Sequence, residues 1–186
     1  MAERAHTWTD GTELWWRGER VTLRVHGDGR HVTCGDQLIA VPIDAVVDDE
    51  VTNLPRRLGV TQPSLFDPPA TRDLRTIVEA HFRQVATREL PPRCHQLAAL
   101  HNVHVARVFV RNQRSRWGAC SSTGTITLNW RLLQLPPWVS DYVIFHELMH
   151  RRQPNHSMRF WREVASVCPR WREAERWIKK NGRTIL

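Results

Sequence analysis

The chain has 186 residues, with 27 Lys+Arg against 19 Asp+Glu, a formal net charge of +8, 10 His, 4 Cys and 9 Trp. That length fits one ordinary domain with a small appendage, and roughly 70% of the unfolded surface can be buried at this size. A content of 41% hydrophobic and 25% charged residues excludes disordered, collagen-like, coiled-coil and disulfide-scaffold classes.

Residues 12–41 read as β structure. Glu13 to Arg17 and Val21 to His26 are aromatic and β-branched, Gly27-Asp28-Gly29 is a turn signal, and Arg30 to Cys34 and Gln37 to Val41 flank the turn Gly35-Asp36. A short antiparallel meander is expected. Residues 42–70 then collect Pro42, Pro55, Pro63, Pro68 and Pro69 with the acidic run Asp48-Asp49-Glu50, and 60–70 reads as a linker.

From Thr71, a plausible N-cap, the pattern turns helical. Leu74, Ile77, Val78, His81, Phe82 and Val85 keep one face apolar, and Pro91-Pro92 is expected to end this helix near Glu89. A short helix over 92–101 should follow. Val103 to Val110 and Thr125 to Asn129 read as strands, and 136–152, 157–167 and 170–180 as helices. The expected organisation is a β-rich segment 1–60, a Pro-rich linker 60–70 and a second domain 71–186.

No apolar run approaches the ~18 residues that span a bilayer. The first residues, MAERAHTWTDGTELWW, lack a basic-then-apolar signal segment. A cytoplasmic protein without membrane contact is expected. Cys34, Cys94, Cys120 and Cys168 have wide spacings and read as buried or half-buried thiols rather than disulfides or a zinc ribbon.

The charge is split. Residues 1–70 hold 7 Lys+Arg and 11 Asp+Glu, a net of −4; residues 71–186 hold 20 and 8, a net of +12. Such asymmetry raises nucleic acid as a partner of the basic part. An arginine-biased genome would leave the same mark, since 25 of the cations are Arg. The C-terminal run Arg170-Trp171-Arg172, Arg176-Trp177 and Lys179-Lys180 interleaves cations with aromatics, as a nucleic-acid surface would. Trp171, Ala174, Trp177 and Ile178 are also at helical spacing, which favours a core face with arginines outside.

The segment His146-Glu147-Leu148-Met149-His150 carries the chemistry. Helical residues four apart differ by about 40° in projection, so both imidazoles leave one face. Two neutral imidazoles suit Zn²⁺, and the glutamate beside the first can act on a metal-bound water as general base. Val143, Ile144 and Phe145 make the surroundings apolar, where buried His and Glu need partners. Pro154 should stop the helix, Asn155 tolerates the left-handed backbone of a sharp reversal, and His156 follows as a third ligand. Three protein ligands leave a fourth position for water, the mark of a catalytic zinc site. Ser157 can cap the next helix, anchored by Phe160 and Trp161.

The stretch from Arg111 to Trp161 resembles the YgjP-like (DUF45) metallopeptidase family, which is related to the SprT-like and WLM-type zinc peptidases. The matching elements are the R-W-G-x-C-S segment Arg116 to Ser121, the strand ending Leu128 to Leu132, the HELxH motif, and Asn155 to Trp161. The likeness extends over roughly residues 75–180 and is weaker in the N-terminal hairpins. Ala119 stands where the family usually has Ser. The resemblance implies an α+β, zincin-like domain with an HExxH helix and a small antiparallel sheet, preceded by the β meander. It also implies one Zn²⁺ on His146, His150 and His156, with Glu147 as acid/base in hydrolysis of protein or peptide substrates by a zinc-activated water. Arg116, Asn129 and Tyr142 are candidates for transition-state or substrate contact. The strand Thr125 to Asn129 is expected to rim the cleft and pair with an extended substrate, while Trp117 and Trp130 read as packing.

Gln62-Pro63-Ser64-Leu65-Phe66 resembles the bacterial sliding-clamp-binding peptide, with Gln62 at a pocket mouth and Leu65 and Phe66 filling it. Two alternatives to a plain peptidase stand beside it. One is a DNA-associated repair protease recruited by clamp or DNA; the other is a non-peptidase metal hydrolase using the same site.

Overall fold

The structure, a computed structural model, describes residues 7–42 and 73–185. The linker and the clamp-like residues Gln62, Leu65 and Phe66, as well as Thr71, lie outside the described residues. The chain divides into two units, one of residues 1–14 and 21–78 and one of residues 15–20 and 79–186.

The meander comprises β1 (Glu13–Trp16), β2 (Glu19–Thr22), β3 (Arg24–Val25), β4 (His31–Cys34) and β5 (Gln37–Ala40). It forms a β1/β2 hairpin and a separate sheet of order β3-β4-β5. Both pairings in that second sheet are antiparallel. Gly29 and Gly35 adopt φ of +64° and +60° in the turns, a conformation with little steric cost only for glycine. Within this first unit the core includes Leu23, Val32, Cys34, Ile39, Leu74 and Val78. Asp73 fastens the N-terminal end, accepting from the backbone N–H of Trp8 and of Arg75.

The tip of the hairpin belongs to the second unit. There Arg17 N–H donates to the Leu133 carbonyl and Gly18 N–H to that of Gln134. Gly18 lies against Pro136, where a Cβ would come within 2.4 Å of the proline ring. Trp16 stacks on Phe82 with centroids 4.6 Å apart.

One prolonged helix, α1 (Arg75–Leu100), replaces the two expected, and Pro91 and Pro92 lie inside it. Each proline lacks an N–H and costs about 3 kcal/mol in a helix interior. The orphaned carbonyls are those of Thr87 and Arg88, both exposed residues, so water can reach them. The buried stripe Phe82, Ala86, Leu90, Cys94 and Leu97 runs straight through. Its burial, at about 0.8 kcal/mol per methylene, offsets the lost bonds.

β6 (Arg107–Arg111), β7 (Gly118–Cys120) and β8 (Thr125–Asn129) form a sheet of order β6-β8-β7. It is mixed rather than antiparallel throughout. β6 runs parallel to β8, with Arg107 opposite Thr125, while β7 is antiparallel, with Gly118 opposite Leu128. β7 escaped the sequence reading because Gly118-Ala119-Cys120 has no β-branched or alternating character. β8 is therefore the central strand, and both its edges are occupied. It cannot accept a substrate strand; the edge on this side belongs to β7.

A 3₁₀ segment (Trp130–Gln134) leads into α2 (Pro137–Met149), followed by α3 (Met158–Val167) and α4 (Trp171–Asn181). Pro137 opens α2, where a missing N–H costs nothing. Val139, Val143, Ile144, Leu148 and Met149 are buried, so the helix is enclosed on more than one side. Ser157 caps α3, its hydroxyl accepting from Phe160 N–H at 3.5 Å. No described helix is long and apolar enough to cross a membrane.

Candidate active site

α2 ends at the chemistry. The N–H groups of Arg151, Arg152 and Gln153 fold back onto the carbonyls of Leu148 and Met149, and Pro154 blocks further helix. The reversal is made by this tightened end rather than by Asn155, since Arg17 and Asn102 are the non-glycine residues with positive φ. It delivers His156 to His146 and His150.

The three imidazoles converge, with one ligand nitrogen from each within 4.8 Å of the others. His146 Nε2 lies 2.9 Å from His156 Nε2. His150 Nδ1 lies 3.2 Å from the Gln153 carbonyl oxygen. A carbonyl can only accept, so Nδ1 carries the proton and Nε2 keeps its lone pair. Burial and the two neighbouring imidazoles push His146 down to about 4, and burial lowers His150 as well. Both are held neutral near pH 7, as metal ligation requires. Phe160 walls the cluster from α3, stacked on His150 at 4.6 Å, and Trp161 lies 5.9 Å from His146. This donor set fits a divalent ion that accepts nitrogen ligands.

Glu147 lies against Gly118 of β7 and is 7% exposed. Burial pushes its carboxyl up to about 7, against the opposing pull of the Arg116 guanidinium. A Cβ on Gly118 would meet Glu147 Cγ at 2.7 Å and Oε1 at 2.8 Å. Glycine at 118 is thus what leaves room for the carboxylate. The sequence reading quoted Gly118 within a motif but assigned it no role, because the contact spans 29 positions and leaves no local pattern.

The three other candidates have separate places. Arg116 is exposed and acts on Glu147 through its charge. Tyr142, one turn before His146, is buried with its ring edge-on to that imidazole at 6.1 Å. Burial raises its hydroxyl above the usual range. Asn129 is 0% exposed. Its amide donates to the carbonyls of Gln113 and Arg116, each at 2.8 Å, and its side-chain oxygen accepts from Arg131 N–H. Both amide hydrogens are thus engaged in holding the loop that carries Arg116, so Asn129 has none to offer an oxyanion.

The C-terminal aromatics face inward. Trp171 stacks on Trp161 at 4.6 Å, Trp177 meets Trp15 edge-on, and Ala174 is fully buried. Both rings of α4 are half-buried. Trp130 is 1% exposed, and Trp117 lies against Gly182. All four cysteines are free. Burial raises Cys34 and Cys94 to about 12.

The YgjP-like, metallopeptidase domain family model matches residues 1–181, the N-terminal strands included. The crystal structure of the metallopeptidase zymogen of Pyrococcus abyssi abylysin is 30% identical, covering 47% of this chain and 90% of that one, with a TM-score of 0.42. No curated protein matches the chain.

Proposed function

The chain belongs to the YgjP-like metallopeptidase family, and from that premise we propose that it cleaves peptide bonds with one zinc ion held by His146, His150 and His156 and with Glu147 as general base. The observation that carries this reading is the convergence of three imidazole nitrogens within 4.8 Å beside a buried carboxylate on the same helix. When bound, zinc supplies Lewis acidity, lowering the pKa of a coordinated water to around 7 and polarising a carbonyl.

The chain's own groups do the rest. His146 keeps its nitrogen lone pair at any pH above about 4. The His150–Gln153 hydrogen bond fixes one imidazole's tautomer and aim. Glu147, raised to about 7, is matched to taking a proton from water and returning it to the leaving amine near neutral pH. Arg116 places positive charge near that carboxylate and steadies its ionised form.

An extended protein or peptide substrate fits the free edge of β7. Trp117 O accepts from Asn129 N–H and Ser121 N–H donates to Thr125 O. The alternation of an antiparallel ladder then turns the backbone groups of Gly118 and Cys120 away from β8. Those groups lie beside Glu147 and can pair with a peptide backbone irrespective of its side chains.

The test is a pair of variants assayed for metal content and for peptide hydrolysis. Glu147→Gln should keep its zinc, at one ion per chain, and lose activity by at least about a hundredfold, the low end for general acid–base catalysis. His156→Ala should lose both metal and activity. Full hydrolysis by Glu147→Gln would overturn the role of Glu147, and full zinc in His156→Ala would remove the third ligand.

A further inference from the structure

Between Glu89 and Asp141 the chain has no carboxylate side chain, yet it carries six arginines, at positions 93, 107, 111, 114, 116 and 131. The sheet gathers part of this charge on one side. Along β6 the burial alternates, with Arg107, Phe109 and Arg111 exposed and Val108 and Val110 half-buried. The parallel register sets Arg107 beside Thr125 and Phe109 beside Thr127, and the antiparallel register sets Ala119 beside Thr127. Paired residues share a face. Arg107, Phe109, Arg111, Thr125, Thr127 and Ala119 therefore form one surface. The opposite face holds Ile126 and Leu128, both fully buried, and Gly118 against Glu147. The basic surface thus lies on the far side of the sheet from the catalytic glutamate.

Two features of this surface combine. Phe109 is 40% exposed, at a position where a polar residue would keep the strand soluble, and the Arg111 guanidinium lies 5.2 Å from its ring centroid. Some arginines elsewhere are neutralised: Arg17 by Glu89, Arg83 by Glu79, Arg93 by Asp141 and Arg152 by Glu163. Among the described residues Arg107, Arg111 and Arg114 form no ion pair. A part-exposed ring between two unneutralised cations, each about 7 Å along the strand, matches a polyanion that also carries planar groups.

We propose that this outer sheet face binds single-stranded nucleic acid, with Phe109 as the stacking surface for a base and Arg107 and Arg111 as phosphate contacts. In a duplex the bases are stacked on one another and offer no face to Phe109, and three short strands present no helix to enter a groove. An acidic peptide would satisfy the arginines but leave the ring without a role. On α4, Trp171 stacks on Trp161 and Trp177 meets Trp15 edge-on, in line with the core face favoured by its sequence spacing, so the aromatic contact is assigned to β6.

The experiment is fluorescence anisotropy of the full chain with a labelled oligothymidylate of about 20 nucleotides, between about 50 and 300 mM NaCl, the range over which phosphate contacts weaken measurably. Wild type should bind, with log K falling linearly against log salt. Arg107→Gln/Arg111→Gln should flatten that slope by about 1.4, from two phosphates at about 0.7 each for single strands. Phe109→Ala should weaken binding at least about fivefold with the slope unchanged, and Phe109→Tyr should restore it, as expected of stacking. Peptide hydrolysis by the three variants should match wild type and shows that they are folded. Absence of binding at about 50 mM salt would overturn the proposal, as would variants that bind like wild type. Displacement by polyglutamate that is indifferent to Phe109→Ala would identify an acidic-peptide surface instead and equally overturn it.

Discussion

The two faces of the β6-β8-β7 sheet are made from the same three strands and differ in kind. The inner face, with Ile126, Leu128 and Gly118, excludes water and abuts Glu147; the outer face, with Arg107, Phe109 and Arg111, stands in water and carries charge. Period-2 alternation is the cause: a one-residue step along a strand reverses the direction of the side chain. The comparison teaches that one small sheet can back a buried carboxylate and carry an exposed basic face without sharing a side chain.

The contrast can be broken most strongly through thiol chemistry. Cys94 is buried on α1 and its thiol feels Cys120 and Glu147, so it reports on the inner side. Its rise from 9.0 to about 12 leaves about a thousandfold less thiolate at pH 8 than an unperturbed thiol would have. Thiolate forms above the pKa, so labelling of native Cys94 should stay negligible at pH 8 and appear on unfolding. Rapid native labelling, followed by peptide mass mapping, would contradict a dry inner side.

Next comes Gly118→Ala. The added Cβ falls 2.7 Å from Glu147 Cγ, and the flexible carboxylate arm can yield. Activity should fall by about a hundredfold, as for a misplacement of about 1 Å at a reacting group, while the thermal midpoint changes little. Adjacent residues on β8 then sharpen the comparison in stability. Ile126→Ala opens a cavity and should cost about 2–5 kcal/mol, whereas Thr127→Ala on the outer face should fall within about 0.5 kcal/mol; urea denaturation measures both. Between them lies Asn129→Ala, which leaves the carbonyls of Gln113 and Arg116 without their amide donor and should cost about 1–3 kcal/mol.

Legibility from the sequence followed distance along the chain. The HExxH helix, the cap at Ser157 and the glycine turns of the meander were readable because each rests on contacts within a few residues. The path of α1 through Pro91-Pro92 was not. Local rules end a helix there, and only the buried stripe through Leu90, Cys94 and Leu97 overrides them. Sheet order was equally hidden. Strand propensity marked β6 and β8, but their parallel pairing and the insertion of β7 on the far edge depend on partners that no local pattern names. Asn129 shows the cost for site assignment: its residue type suggested an oxyanion donor, and its neighbours employ it as a clamp.

By itself the sequence determined the family, the helix that presents His146, Glu147 and His150, and the break that lets His156 follow, because helical spacing is fixed by backbone geometry. Tertiary structure alone decided that Gly118 faces Glu147, that β7 rather than β8 is an edge strand among the described residues, that Asn129 holds the Arg116 loop, and that Trp171 and Trp177 pack on other rings while Phe109 stays exposed. Those outcomes rest on pairings between residues far apart in the chain, whose entropic cost is met only when the whole core closes.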